Sequence, residues 1–291
     1  MQASRPSDTA KLIARSLLLA AEDHQLKSLV PDDSVPALQQ ILERKSGRDW
    51  ILPFVKCSVG RKILLCGERV LLPGIVAHYL VRKLRIEKEV EEAIASGCER
   101  VVVVGAGFDT LAWRLHRKHP NVQFVELDHP ATQQRKKDHL EFGANLKFQS
   151  LDLVKELPSP VLQGEDVPTV FVIEGVTMYL TPVRVGALLQ DVASVMGAGG
   201  RVVWTFMERD KKGSINFRGE SSLISRWLHV RSEPFLWGIT RDRLTGFLAA
   251  CGLKQKELAD HEILRRDYLR PRGVDNLPLA EGELISTANL L

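Results

Sequence analysis

The chain has 291 residues, 44% of them hydrophobic, which is ample material for a buried core. Lys and Arg total 40 against 36 Asp and Glu, so a net charge of +4 is spread over a large surface and lacks the basic excess of a dedicated nucleic-acid binder. The four cysteines, Cys57, Cys66, Cys98 and Cys251, form no CxxC pair and have no histidines at ligand spacing, so neither a zinc site nor a disulfide framework is expected.

The opening MQASRPSDTAKLIARSLLLAAEDH is short, is interrupted by Lys11 and Arg15, and lacks a small-residue cleavage site. No span of about 18 apolar residues follows anywhere, so a soluble cytoplasmic protein without a membrane partner is expected. From Ser7 to about Ala95 the pattern is helical. SDTAKLIARSLLLAAED begins with cap-type residues, and VPALQQILERK and IVAHYLVRKLRIEKEVEEAI space their apolar positions three and four apart.

After Gly97 short β-branched runs alternate with amphipathic helices: RVVVVGAG and DTLAWRLHRKH; VQFVELD and ATQQRKKDHLEF; LKFQSLD; TVFVIEG and PVRVGALLQDVASVM; GRVVWTFME. Apolar strands separated by helices imply a parallel sheet covered on both faces, a doubly wound α/β fold. One domain over 1–291 is expected, with a helical N-terminal cap over 1–96 and an α/β core over 97–291. Toward the C-terminus TRDRLTGFLAACG reads as a helix stopped by Gly252, and LKQKELAD with EILRRDYL as a closing hairpin. Trp204 reads as core, and the polar stretch Glu208–Ser222 as a loop.

Ligands of open parallel sheets settle beyond the carboxyl ends of the strands. Gly105, Ala106 and Gly107 follow the first strand, where glycine allows a tight turn or close approach of a ligand to main chain. A dinucleotide site prefers a third glycine, but that position is Thr110, and Asp109 at the helix start repels a phosphate. A phosphate-free cofactor such as S-adenosylmethionine is favoured. VELDHP ends the second strand with Glu126 and Asp128 on one face, an acid suited to ribose hydroxyls. SLDL supplies Asp152 and the Leu153 N–H for an adenine, and IEGVTMYL puts Glu174 at the end of an apolar run, where a cationic partner such as an ammonium is needed.

The ordered set VVVVGAGFDTLAWRL, VELDHPATQQRKK, SLDL and PTVFVIEGVTMYL resembles the leucine carboxyl methyltransferase family and its bacterial S-adenosylmethionine-dependent O-methyltransferase relatives. The likeness extends to TAKLIARSLLLAAED and SEPFLWGITRDRLTGFLAACG, most of the chain. It implies a mostly parallel, seven-stranded class I methyltransferase sheet of Rossmann-like form. It also implies that the turn at Gly105 contacts the cofactor, Asp128 holds the ribose, Asp152 and Leu153 address adenine, Glu174 faces the amino-acid end, and Arg82 binds the methionine carboxylate. The sequence departs from the family pattern at Leu19, where a basic residue is usual and Lys11 or Arg15 would have to substitute, and at Val154, where arginine is common.

Methyl transfer from a sulfonium needs acceptor, methyl carbon and sulfur in line, and no metal. A carboxylate acceptor is ionised at neutral pH, whereas a hydroxyl needs a base. Of the eight histidines only His129 adjoins a cofactor motif, and it reads as structural. Tyr179 is the candidate for positioning the acceptor, by its hydroxyl or by ring attraction to the sulfonium. The expected acceptor is a small molecule, under a cover formed by the N-terminal helices and the Glu208–Ser222 loop. An NAD-linked oxidoreductase and a non-catalytic cofactor-binding protein remain as alternatives. Nucleic acid is not expected, since RKK at 135–137 and RR at 265–266 are isolated clusters.

Overall fold

The computed structural model describes residues 8–42, 51–162, 167–230 and 233–291. Among the described residues five α-helices come first: α1 (Asp8–Ala21), α2 (Ser34–Leu42), α3 (Leu52–Lys56), α4 (Ser58–Leu71) and α5 (Ile75–Ala95). The end of VPALQQILERK, from residue 43, lies outside the described residues. On α1, Ala14, Leu17 and Leu18 face the core, the three-to-four spacing that marks one helical side. α5 is buried almost all round because α1 covers one side of it and the sheet the other. Among the described residues no single helix is long and apolar enough to cross a membrane.

The core then runs β1 (Arg100–Val104), α6 (Leu111–Lys118), β2 (Gln123–Asp128), α7 (Pro130–His139), β3 (Leu146–Ser150), β4 (Thr169–Ile173), α8 (Pro182–Val195) and β5 (Arg201–Glu208). It continues with α9 (Ser222–Val230), a two-residue β6 (Gly238–Ile239), α10 (Arg241–Ala250), β7 (Leu253–Ala259), α11 (His261–Leu264) and β8 (Glu283–Leu290). Seven strands lie in the order β3-β2-β1-β4-β5-β8-β7, with β6 paired to the end of β5. Among the described strands β8 alone runs antiparallel, against both β5 and β7. This is the doubly wound, mostly parallel sheet expected from the sequence. The valines of β1 show why: Val101 and Val103 enter one core cluster, Val102 and Val104 the other, so both faces are covered. Trp204 is fully buried and stacks on Phe206 at 4.9 Å.

The closing hairpin differs from expectation. EILRRDYL is helical, through α11 and a continuing turn over Arg265–Leu269, while ELISTANL forms the strand. Asp260 Oδ1 accepts from the N–H groups of Glu262 and Ile263 and so starts the helix, and Leu264, Tyr268 and Leu269 bury one helical side. The Glu208–Ser222 stretch is a loop up to the start of α9, anchored by the buried Phe217.

Candidate functional site

The strand order reverses between β1 and β4, and three strand ends meet there. Gly105 has φ of 68°, and a Cβ placed on it would lie 2.5 Å from Val176 Cγ2 and 3.5 Å from Leu153 Cδ1. Residues following β1, β3 and β4 therefore converge on one stretch of bare main chain. Two residues on, the Gly107 N–H donates to Asp128 Oδ2 at 2.7 Å, and the His129 N–H donates to Oδ1 at 2.6 Å. Burial raises the Asp128 carboxyl above its usual range, and these two N–H groups oppose the shift. His129 Nδ1 accepts from the Ala131 N–H at the start of α7.

At the end of β4, Glu174 Oε1 accepts from Arg82 Nε at 2.8 Å and lies 2.7 Å from Arg82 Nη2. Lys83 Nζ sits 3.2 Å from the same oxygen and 3.3 Å from Asp109 Oδ2. Behind Arg82, its Nη1 reaches Glu283 Oε2 at 2.7 Å, and His78 Nε2 reaches that oxygen at 2.8 Å. The result is an alternating series of charges, Asp109, Lys83, Glu174, Arg82 and Glu283, across the sheet end, with the His78 imidazole against its last member. Alternation is what makes burial tolerable, since each charge has an opposite neighbour. Burial alone would raise the Glu283 carboxyl, but Arg82 and His78 hold it at about 2. Burial likewise pushes Asp109 up, and Lys83, Lys136 and Arg114 bring it below the usual carboxylate range.

Glu126, the other acid of VELD, belongs to the scaffold. Its Oε2 lies 2.5 Å from Lys136 Nζ, which also donates to the Asp109 carbonyl at 2.5 Å, so α7 is fastened to β2 and to the glycine turn. Burial raises this carboxyl to about 7 against the opposing Lys136 charge.

An aromatic wall adjoins the charges. Tyr179, on a short helical turn after β4, lies 5.6 Å from Phe235; Phe235 meets Phe217 at 6.1 Å, and Phe217 meets His78 at 5.8 Å. The Arg82 guanidinium lies 5.0 Å over the Tyr79 ring. Burial pushes both tyrosine phenols well above their ordinary range. α1 reaches this wall from outside: Thr9 Oγ1 donates to Glu233 Oε2 at 2.5 Å, and Ala10 lies 3.3 Å from where a Gly107 Cβ would stand.

The structure thus brings Gly105, Ala106, Gly107, Asp128, Leu153, Glu174 and Arg82 to the sheet end, with Tyr179 beside them. Asp152 differs: its carboxylate is half-exposed, accepts from the Val154 N–H and faces Lys155 at 3.5 Å. Leu19 is core, and Lys11 pairs with Asp8 at 3.1 Å. Sequence reasoning missed Glu283, His78, Thr9 and Glu233. Glu283 had a signal, an acid heading a strand-like run much as Glu174 ends one; Thr9 and Glu233 lie within TAKLIARSLLLAAED and SEPFLWGITRDRLTGFLAACG, the outlying stretches of the family likeness, but nothing there marked them as site residues. A cavity of about 510 Å³ lies elsewhere, on the outer side of α2 and α6, lined by Asp33, Gln40, Trp113, Arg117 and Glu141, with no strand-end residue in it.

Residues 20–193, more than half of the chain, match the family model described as leucine carboxyl methyltransferase. The chain belongs to the leucine carboxyl methyltransferase family. Members of this family are S-adenosylmethionine-dependent methyltransferases. The chain is 29% identical to YktD of Bacillus subtilis (strain 168), named as a candidate S-adenosyl-L-methionine-dependent methyltransferase, over 60% of each protein. It is 23% identical to a similarly named protein of Mycobacterium marinum over 98% of this chain and 95% of the relative. Among solved structures it is similar in fold to a DUF574 family protein from Streptomyces avermitilis (10% identity, TM-score 0.59, 98% of each chain). It is also similar to a candidate methyltransferase from Thermobifida fusca (14% identity, TM-score 0.58, 99% of this chain and 96% of that one). For a member of the leucine carboxyl methyltransferase family, the site's chemistry fits the amino-acid end of the cofactor: a cation and an anion side by side suit a methionine zwitterion, while Val176 packs directly against Gly105.

Proposed function

We propose that the protein transfers a methyl group from S-adenosylmethionine to an oxygen, carboxylate or hydroxyl, of a small-molecule acceptor. The observation that carries this reading is the buried Arg82–Glu174 pair beside the Gly105 turn. A zwitterion entering between the two side chains exchanges one internal ion pair for two external ones, Arg82 to carboxylate and Glu174 to ammonium. Asp128 keeps acceptor capacity on both oxygens for ribose hydroxyls. The Leu153 side chain packs against adenine, and Asp152 reaches its amino group on leaving Lys155. When bound, the cofactor supplies a methyl carbon activated by its sulfonium.

The chain's own task is alignment, which is worth roughly 7–11 kcal/mol when the reacting atoms are held in line. Tyr179, with its phenol kept protonated by burial, acts as a hydrogen-bond donor and a ring face rather than as a base. A carboxylate acceptor needs no base; for a hydroxyl acceptor, Glu233 is the carboxylate on this wall that takes the proton.

The test is thermal unfolding with S-adenosylmethionine, S-adenosylhomocysteine and NAD at one common concentration, since a ligand of the folded state present at about 100 times its dissociation constant adds about 2.7 kcal/mol. Stabilisation by the two adenosyl compounds and not by NAD is expected, and the reverse overturns the reading. Product analysis by mass spectrometry then separates O-methyl from N- or C-methyl products, either of which overturns the oxygen assignment.

A further inference from the structure

α4 has two apolar sides. Leu64 and Leu65 turn inward against the core, whereas Val59, Ile63 and Val70 are 63%, 62% and 72% exposed, with Cys66 exposed between them. Steps of four, three and four residues keep these four within roughly 60° of one another around the helix. Phe54 on α3, 49% exposed, extends the apolar surface.

The exposed charges carried by α3 and α4 themselves have one sign, while Glu22 after α1 lies 3.9 Å from Arg61 of α4. Lys56, Lys62 and Arg69 are exposed, and the one acid between residues 51 and 73 is Glu68, which is half-buried with its Oε1 3.4 Å from the Val76 nitrogen. The same composition recurs next door. α9 begins beside the end of α4, where the Ser221 N–H donates to the Leu71 carbonyl at 2.9 Å. It exposes Leu223, Arg226 and Val230 and contains no acid.

We propose that the outer faces of α3, α4 and α9 form a peripheral docking surface for an anionic lipid bilayer. Exposed apolar side chains flanked by Lys56, Lys62, Arg69 and Arg226, with no outward acid among the described residues of these three helices, match an interface where headgroups are negative and acyl chains begin. A second copy of this chain fits less well: antiparallel two-fold packing of α4 on itself sets Lys62 and Arg69 of both copies along one side with no acid to balance them. The contact is peripheral because α5, which follows α4, is buried in the core. This inference is independent of the methyl-transfer reading.

Co-sedimentation of the full chain with vesicles tests it. Binding to phosphatidylglycerol–phosphatidylcholine vesicles is expected, with little to pure phosphatidylcholine and a decline as salt rises. The double variant Ile63→Glu/Val70→Glu loses binding, and Lys62→Gln and Arg69→Gln each weaken it about 5-fold. Val183→Glu, on the 84% exposed Val183 of α8, binds as wild type and controls for added negative charge. Equal unfolding temperatures of the variants establish that they are folded. No binding to the anionic vesicles, equal binding to neutral ones, or binding retained by the double variant overturns the proposal. So does a wild-type dimer in analytical ultracentrifugation that the double variant converts to monomer, which makes the stripe a subunit seam.

Discussion

Arg82 approaches a single oxygen of Glu174 with two nitrogens, Nε at 2.8 Å and Nη2 at 2.7 Å, across a sequence separation of 92 residues. A third nitrogen of the same guanidinium is held from behind by Glu283. The planar fork is thereby fixed in orientation before any ligand arrives, something a lysine could not do.

Removing the front carboxylate separates ligand binding from folding. In Glu174→Gln, Arg82 keeps Glu283 and Lys83 keeps Asp109, so the fold persists. The dissociation constant for S-adenosylmethionine, measured by isothermal titration calorimetry, rises about 30-fold or more, the equivalent of about 2 kcal/mol for an ion-pair partner lost from a buried site.

Removing the rear carboxylate acts on stability. Glu283 is held at about 2, below its ordinary value of 4.5, so its contribution is present above 4.5 and is lost as pH falls through about 2. By linkage that contribution is about 3 kcal/mol. Denaturant unfolding at stepped pH values is expected to show Glu283→Gln destabilised by about that amount at neutral pH, with the gap to wild type closing between pH 4.5 and 2.

Gly105→Ala meets two obstacles, the positive φ and the methyl groups of Val176. The backbone conformation alone costs about 1–2 kcal/mol. Val176→Ala on the same background relieves the contact but not the φ, so the double variant recovers part of the lost melting temperature and not all of it.

Tyr179→Phe keeps the ring against Phe235 and removes the hydroxyl. Affinity for S-adenosylmethionine stays within about twofold while turnover falls roughly 3- to 10-fold, the worth of about 1 kcal/mol for one hydrogen bond. Because the phenol remains protonated in the wild type, the basic side of the pH–rate profile is the same in both proteins. A basic limb that disappears in the variant would show the phenol acting as a base.

The sheet was legible because four valines ending in Gly-Ala-Gly announce a doubly buried strand and its turn at once. Arg82 was legible by family likeness alone. A charged residue in HYLVRKLR reads as exposed when one helical side is assumed to face water, yet α5 is covered on both sides. Glu283 was obscured by assigning EILRRDYL to the last strand, which left ELISTANL, the true partner of β5, without a role. Asp152 shows the opposite failure. A motif gives the residue its place, but the Val154 N–H and Lys155, both local, decide where its carboxylate goes. Thr9 and Glu233 are 224 residues apart, and no local pattern marks a contact of that range.

β8 lies between β5 and β7 although it follows both in the chain. The edge of β5 is therefore left unpaired until β8 docks on it, alone or already paired with β7. That same strand delivers Glu283 to the back of Arg82. Completion of the sheet and orientation of the guanidinium are thus a single assembly event, so a chain trapped before that docking has its glycine turn in place but lacks an aligned cation at the sheet end.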